Sequence, residues 1–114
     1  MLSKGGYQQY YYRALQARYL LDQAFRRLFA GYDAALLPAA GSAAYALGEN
    51  AGLKLHRRDL RYTAPAALCG LPAVALPAAA PAGGGALPLG LQIIAARGQD
   101  RQALTVARAW EKLR

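Results

Sequence analysis

From Tyr7 onward the apolar positions advance in steps of three and four: Tyr7, Tyr10, Tyr11, Ala14, Leu21, Phe25 and Leu28, with Arg18 interrupting. That period draws one stripe and predicts a helix over 7–30, with Gln9, Arg13, Gln16, Gln23 and Arg27 on its wetter side. Gly31 follows as the expected stop, because glycine takes the left-handed conformation that ends helices at little cost. The tyrosine cluster reads as core or boundary residues whose hydroxyls reach water, with a base-stacking platform as the rival reading. Asp33-Ala34-Ala35-Leu36-Leu37-Pro38 is a short apolar run between a turn signal and a proline. It predicts a buried strand within 33–38.

Residues 39–61 read as a loop, rich in alanine, glycine and serine as far as Asn50 and polar and basic from Gly52 to Arg61. A short helix is expected around Ala64–Leu68, with Pro65 in its first turn, where a missing backbone donor costs nothing. Cys69-Gly70 ends it. Within 62–95 two strands follow, Ala73–Leu76 between prolines and Leu89–Ala95 with its β-branched pair Ile93-Ile94. The connector from Ala78 to Ala86 is Gly-rich, so the two strands read as an antiparallel pair. Asp100 is placed to cap a last helix over 100–113, whose Ala103, Val106, Ala107, Trp110 and Leu113 share a face. The order helix-strand-helix-strand-strand-helix predicts an α/β segment spanning 1–114. So few strands cannot close on themselves, and at least one edge needs cover from elsewhere.

Composition changes this picture in three places. Fourteen Lys and Arg residues against six Asp and Glu give a net charge of +8. The arginines are spread from Arg13 to Arg114 rather than gathered on one face with stacking aromatics, which argues against nucleic acid as the partner. No apolar run approaches eighteen residues, so no membrane span is expected, and MLSKGGYQQYYYR has no apolar core of a secretory signal. The single cysteine, Cys69, excludes an internal disulfide and any multi-cysteine metal site, and a reducing, cytoplasmic setting is the default expectation.

The reactive inventory is thin. His56 is the only histidine and stands beside Arg57 and Arg58, which suits a solvated residue. Cys69 sits in an apolar stretch and reads as a buried, inert thiol. The six carboxylates form no close pair in sequence. Gly83-Gly84-Gly85 lacks the lysine and hydroxyl of a phosphate loop. Neither Ser3 nor Ser42 stands in a Gly-x-Ser-x-Gly setting. From the residues alone, no catalytic residue, no metal site and no cofactor is assigned.

Three motifs in order carry a resemblance. DAALLPAAGSAAYALGE (Asp33 to Glu49), YTAPAALCGLPAVALP (Tyr62 to Pro77) and LPLGLQIIAARGQDRQALTVARAWE (Leu87 to Glu111) resemble the C-terminal part of the amidase-signature family. The first helix, with Tyr10-Tyr11, Ala14, Arg18 and Phe25, is similar to the helix before the family's aspartate strand. The resemblance covers nearly the whole chain and the last quarter or so of a full member. It implies part of a mixed sheet between helices, in an enzyme that hydrolyses or transfers amide groups through a serine nucleophile, a second serine in a cis peptide and a lysine base. In that pattern the Gly/Ser signature belongs upstream of Met1, and neither Lys4 nor Lys54 stands in a comparable context.

What the resemblance implies for this chain is therefore scaffold and pocket wall, with Asp59, Tyr62 and Thr63 as substrate-binding candidates and a small amide as substrate only of a complete enzyme. The wording LPLGLQIIAA looks nearest to biuret- and allophanate-type hydrolases. Transamidase members show an acidic residue three before the threonine, where this chain has Leu60 with Asp59 one step away, and this departure weighs against the tRNA-linked branch. The expected partners are a second copy of the chain or a separate amidase-like chain. The alternative is a stand-alone interaction or remnant module without catalysis.

Overall fold

The computed structural model describes residues 4–49, 52–78 and 87–113. They form α1 (Lys4–Gly31), β1 (Ala35–Pro38), α2 (Leu53–Cys69), β2 (Ala73–Pro77), β3 (Gly90–Ile94) and α3 (Asp100–Leu113), in the expected α/β order. Ser3 and residues 79–86 of the Gly-rich connector lie outside the described residues, as does the side chain of His56.

β3 is the central strand of a three-stranded sheet of order β1-β3-β2, antiparallel to both neighbours. Directly opposed residues project to the same side, so Leu36, Ile93 and Val74 share one face, and Leu37, Gln92 and Ala75 share the other. The Gln92 carboxamide donates to the Tyr62 carbonyl at 2.8 Å, which lays α2 over the Gln92 face. α3 packs against β2 and β3 and buries Ala103 and Ala107, covering the Ile93 face. Ile93 and Ile94 point to opposite sides and are both fully buried, so both faces of β3 are covered. Two quadrants stay open. Leu36 on the α3 side of β1 is half exposed, and Ala73 and Ala75 on the α2 side of β2 are exposed.

The apolar core is Ala66, Cys69, Ile93, Ile94, Ala95, Ala103 and Ala107. Alanines let the helices approach the sheet closely but bury little apolar area each. The accessible surface is 8737 Å² for 12.1 kDa, against roughly 6,000 Å² for a folded monomer of that mass. The radius of gyration of 17.1 Å likewise exceeds the roughly 13 Å of a compact domain of this length. α1 accounts for much of this. Of residues 5–20 all but Gly6 are exposed, and only its C-terminal half docks, with Leu21, Asp22, Phe25 and Phe29 half buried.

One arginine ties that half to the sheet layer. Arg97, just after β3, donates from Nη2 to the Cys69 carbonyl at 2.8 Å and to Asp22 Oδ1 at 3.0 Å. Asp22 also accepts from Arg26 Nε at 2.9 Å. Cys69 ends α2 beneath this node, and burial, with the Asp22 carboxylate adding to it, pushes its thiol pKa up against the opposing pull of Arg18 and Arg97.

Five expectations are corrected. The segment 53–61 is not loop: α2 runs seventeen residues, from Leu53 to Cys69. Among the residues whose side chains are described, its inward line is Asp59, Tyr62, Ala66 and Cys69, while Leu53, Leu60 and Leu68 face outward. Pro65 sits inside the helix rather than in its first turn, where it removes a backbone donor and crowds the carbonyl four residues before it. Gly31 is the last residue of α1 but has no positive φ, whereas Gly70 ends α2 at φ 63°, its N–H returning to the carbonyls of Ala66 and Ala67. The tyrosines of α1 are not core: Tyr7, Tyr10, Tyr11, Tyr12 and Tyr19 are exposed, with Tyr7 and Tyr11 stacked on each other at 5.5 Å. Asp100 is the first residue of α3, its carboxylate in the first turn, where the helix dipole favours negative charge.

Candidate functional site

Where β1 ends and β3 begins, the sheet opens into a cleft of about 460 Å³. Leu36, Leu37, Pro38, Leu89 and Leu91 supply apolar walls, Gly41 and Ser42 one rim, and Tyr62 of α2 the other. The strands hold this geometry through the ladder, which extends past their ends: Ala39 donates to the Gly90 carbonyl at 3.0 Å and Ala78 to that of Leu89 at 2.8 Å. Apolar walls with a few polar groups at the rim are the usual make-up of a small-molecule site.

The rim is held by two consecutive residues of α2. Asp59 accepts from the Gly41 N–H at 3.1 Å on one carboxylate oxygen and from the Tyr45 hydroxyl on the other. Arg58 Nη2 donates to Ser42 Oγ at 2.8 Å. The Arg58 side chain lies against Gly41 so closely that a Cβ there would stand 2.7 Å from Arg58 Cγ and 2.9 Å from Nε. Only glycine fits. Arg58 Nε is buried beneath this segment with no hydrogen-bond partner, an unmade bond that costs on the order of 1–3 kcal/mol and must be offset by the packing around it.

Of the three candidates, the structure brings Asp59 and Tyr62 to the site and leaves Thr63 exposed on the helix. Asp59 holds the loop after β1, and Tyr62 lines the cleft while its carbonyl takes the Gln92 bond. Gly41, Ser42, Tyr45 and Arg58 were not legible as site residues. The helical spacing of Asp59, Tyr62, Ala66 and Cys69 could have placed Arg58 on a helix with a buried face, whereas nothing local marks Gly41, Ser42 or Tyr45.

Ser42 Oγ accepts from Arg58 and donates to the Ala43 carbonyl at 3.0 Å, with no base in either bond. Cys69 is fully buried and is not among the residues that line the cleft. Among the described residues no group of three or more His, Cys, Asp or Glu is placed to hold a metal ion, and no helix is long and apolar enough to cross a membrane. What the arrangement offers is a walled cleft with a polar rim.

A family model described as Amidase matches residues 1–104. The chain is 40% identical over 113 residues to a glutamyl-tRNA(Gln) amidotransferase subunit of Brevibacillus brevis, a match that takes in 97% of this chain and 22% of that protein. It is 44% identical over 96 residues to the corresponding protein of Rhizorhabdus wittichii, covering 82% of this chain and 19% of the relative. The crystal structure of the Thermotoga maritima counterpart superposes with a TM-score of 0.81 at 33% identity, over 93% of this chain and 23% of its own. Spanning about a fifth of the length of the relatives it matches, the chain belongs to the amidase family.

Proposed function

We propose that these residues are the C-terminal portion of an amidase-family enzyme acting on an amide C–N bond, and that they supply sheet strands and one wall of the substrate cleft. In this reading the nucleophile and base come from an amidase-type segment outside these residues, and catalytic roles fall on none of the residues described. The observation that carries it is the match of nearly the whole chain to a fifth of each relative, on a fold whose surface exceeds that of a compact monomer by more than 2,000 Å². An obligate interface buries area of that order. The complete enzyme takes a small amide in the cleft beside Tyr62, and the names of the relatives favour the amidotransferase branch over the biuret and allophanate one. A cytoplasmic setting, with Cys69 as a reduced thiol, belongs to the same reading.

The test is complementation. The chain alone is expected to hydrolyse simple amides no faster than background, because nucleophile, base and oxyanion donors each contribute heavily to rate. Co-produced with an amidase segment that carries the Gly/Ser signature and ends before the first helix, it is expected to form a complex that releases ammonia from a primary amide. Binding without hydrolysis would favour the alternative, an interaction or remnant module. Hydrolysis by the chain alone that disappears in Ser42→Ala would overturn both.

A further inference from the structure

We infer that Arg58 and Asp59 are a positioning pair that clamps the loop after β1 over the cleft, a role that deepens the reading of the cleft as a substrate wall and rests on it. The two residues are adjacent on α2 and take hold of different parts of one loop. Asp59 receives the Gly41 N–H on one oxygen and the Tyr45 hydroxyl on the other, so one carboxylate fixes two points four residues apart. Arg58 reaches between them to Ser42 Oγ, and its aliphatic stem is the surface on which Gly41 lies. The loop is half buried at Gly41, Ala43 and Tyr45 and exposed at the residues between. That alternation comes without any ladder bond beyond Ala39 within this stretch.

The sequence of causes runs from α2 outward. Gln92, buried in the central strand, fixes the Tyr62 carbonyl and with it the helix. Asp59, one turn before Tyr62, is carried to the loop. The loop then presents Gly41 and Ser42 to the cleft. Asp59 therefore shapes the cleft without lining it, which separates its role from that of Tyr62. A carboxylate receiving a backbone N–H and a hydroxyl makes charge-assisted bonds, roughly twice as strong as neutral ones, and few other ties hold this loop.

Amide hydrogen exchange of the 114-residue chain, read by NMR residue by residue, tests the clamp. Asp59→Ala is expected to speed exchange at Gly41 and its neighbours up to Tyr45 by roughly tenfold or more, while β3 and α3 keep their protection. Tyr45→Phe is expected to release the far side of the loop and leave the Gly41 amide protected. Asp59→Asn is expected to restore Gly41 protection in part, since its carbonyl oxygen can still accept from that N–H. The double variant Asp59→Ala, Tyr45→Phe should be no looser than Asp59→Ala alone. Unchanged exchange in Asp59→Ala, or an equal rise across α2, β3 and α3, overturns the proposal, as does strict additivity in the double variant. None of these outcomes depends on whether an amidase-type partner restores hydrolysis, so the clamp and the functional reading fail separately.

Discussion

The N-terminal half of α1 and the β3–α3 unit both carry large apolar side chains, and they end in opposite states. Ile93 and Ile94 of β3 and Ala95 just after it have no exposed surface, and α3 closes one face with Ala103 and Ala107. In α1, Tyr7, Tyr10, Tyr12, Tyr19 and Leu20 are more than half exposed. Each region is amphipathic, so the difference lies in what is present to cover it. β3 finds α2 on one side, α3 on the other and a strand along each edge. The first half of α1 carries the stack of Tyr7 on Tyr11 and stays exposed at its other tyrosines. In the proposed reading this is the surface that an amidase-type partner covers. The open quadrants over Leu36 and over Ala73 and Ala75 repeat the point at the sheet.

Substitutions sharpen that contrast in descending order of effect. Ile94→Ala removes a fully buried side chain from the one place where the core is complete. It is expected to cost about 3 kcal/mol, a large share of what a small domain has, seen as a lowered midpoint in urea. Arg97→Ala attacks the joint between the two regions by deleting the bonds to the Cys69 carbonyl and to Asp22. The side chain is 55% exposed, so screening keeps the loss to about 1–2 kcal/mol. The accompanying sign is faster exchange in the C-terminal half of α1. Tyr10→Ser should change the stability of the isolated chain by less than about 0.5 kcal/mol, yet weaken capture of an amidase-type partner. A Tyr10→Ser cost comparable to that of Ile94→Ala would break the comparison, since it would mean the helix is already packed.

How much of this was readable from the residues follows the same divide. β3 and α3 were legible because their burial is written in apolar periodicity: a β-branched pair fenced by glycine and proline, and a helical face of Ala103, Val106, Ala107 and Trp110. β1 and β2 were found to within two residues, β1 from the turn signal at Asp33 and the proline at its end, β2 from the prolines at either side. Of α2 only the end was found, as a short helix around Ala64–Leu68; its start at Leu53 was missed, because Asp59 on the inward line is polar and Leu53, Leu60 and Leu68 are exposed. The loop that completes the cleft was equally silent. Gly41, Ser42 and Tyr45 matter through bonds to residues fourteen to eighteen positions later, and no local pattern encodes such a pairing. Asp59 and Tyr62 were singled out through the family motif, Thr63 as well, and the geometry separates them: a loop clamp, a cleft wall and an exposed hydroxyl.

Hydrogen exchange along the whole chain, first alone and then with an amidase segment bearing the Gly/Ser signature, tests the central claim most directly. Slow exchange is expected in β3 and α3 from the outset, with fast exchange over residues 5–20 of the isolated chain and protection there once the segment is added. That expectation would be contradicted by a monodisperse monomer in which residues 5–20 are as protected as β3 and the added segment changes nothing.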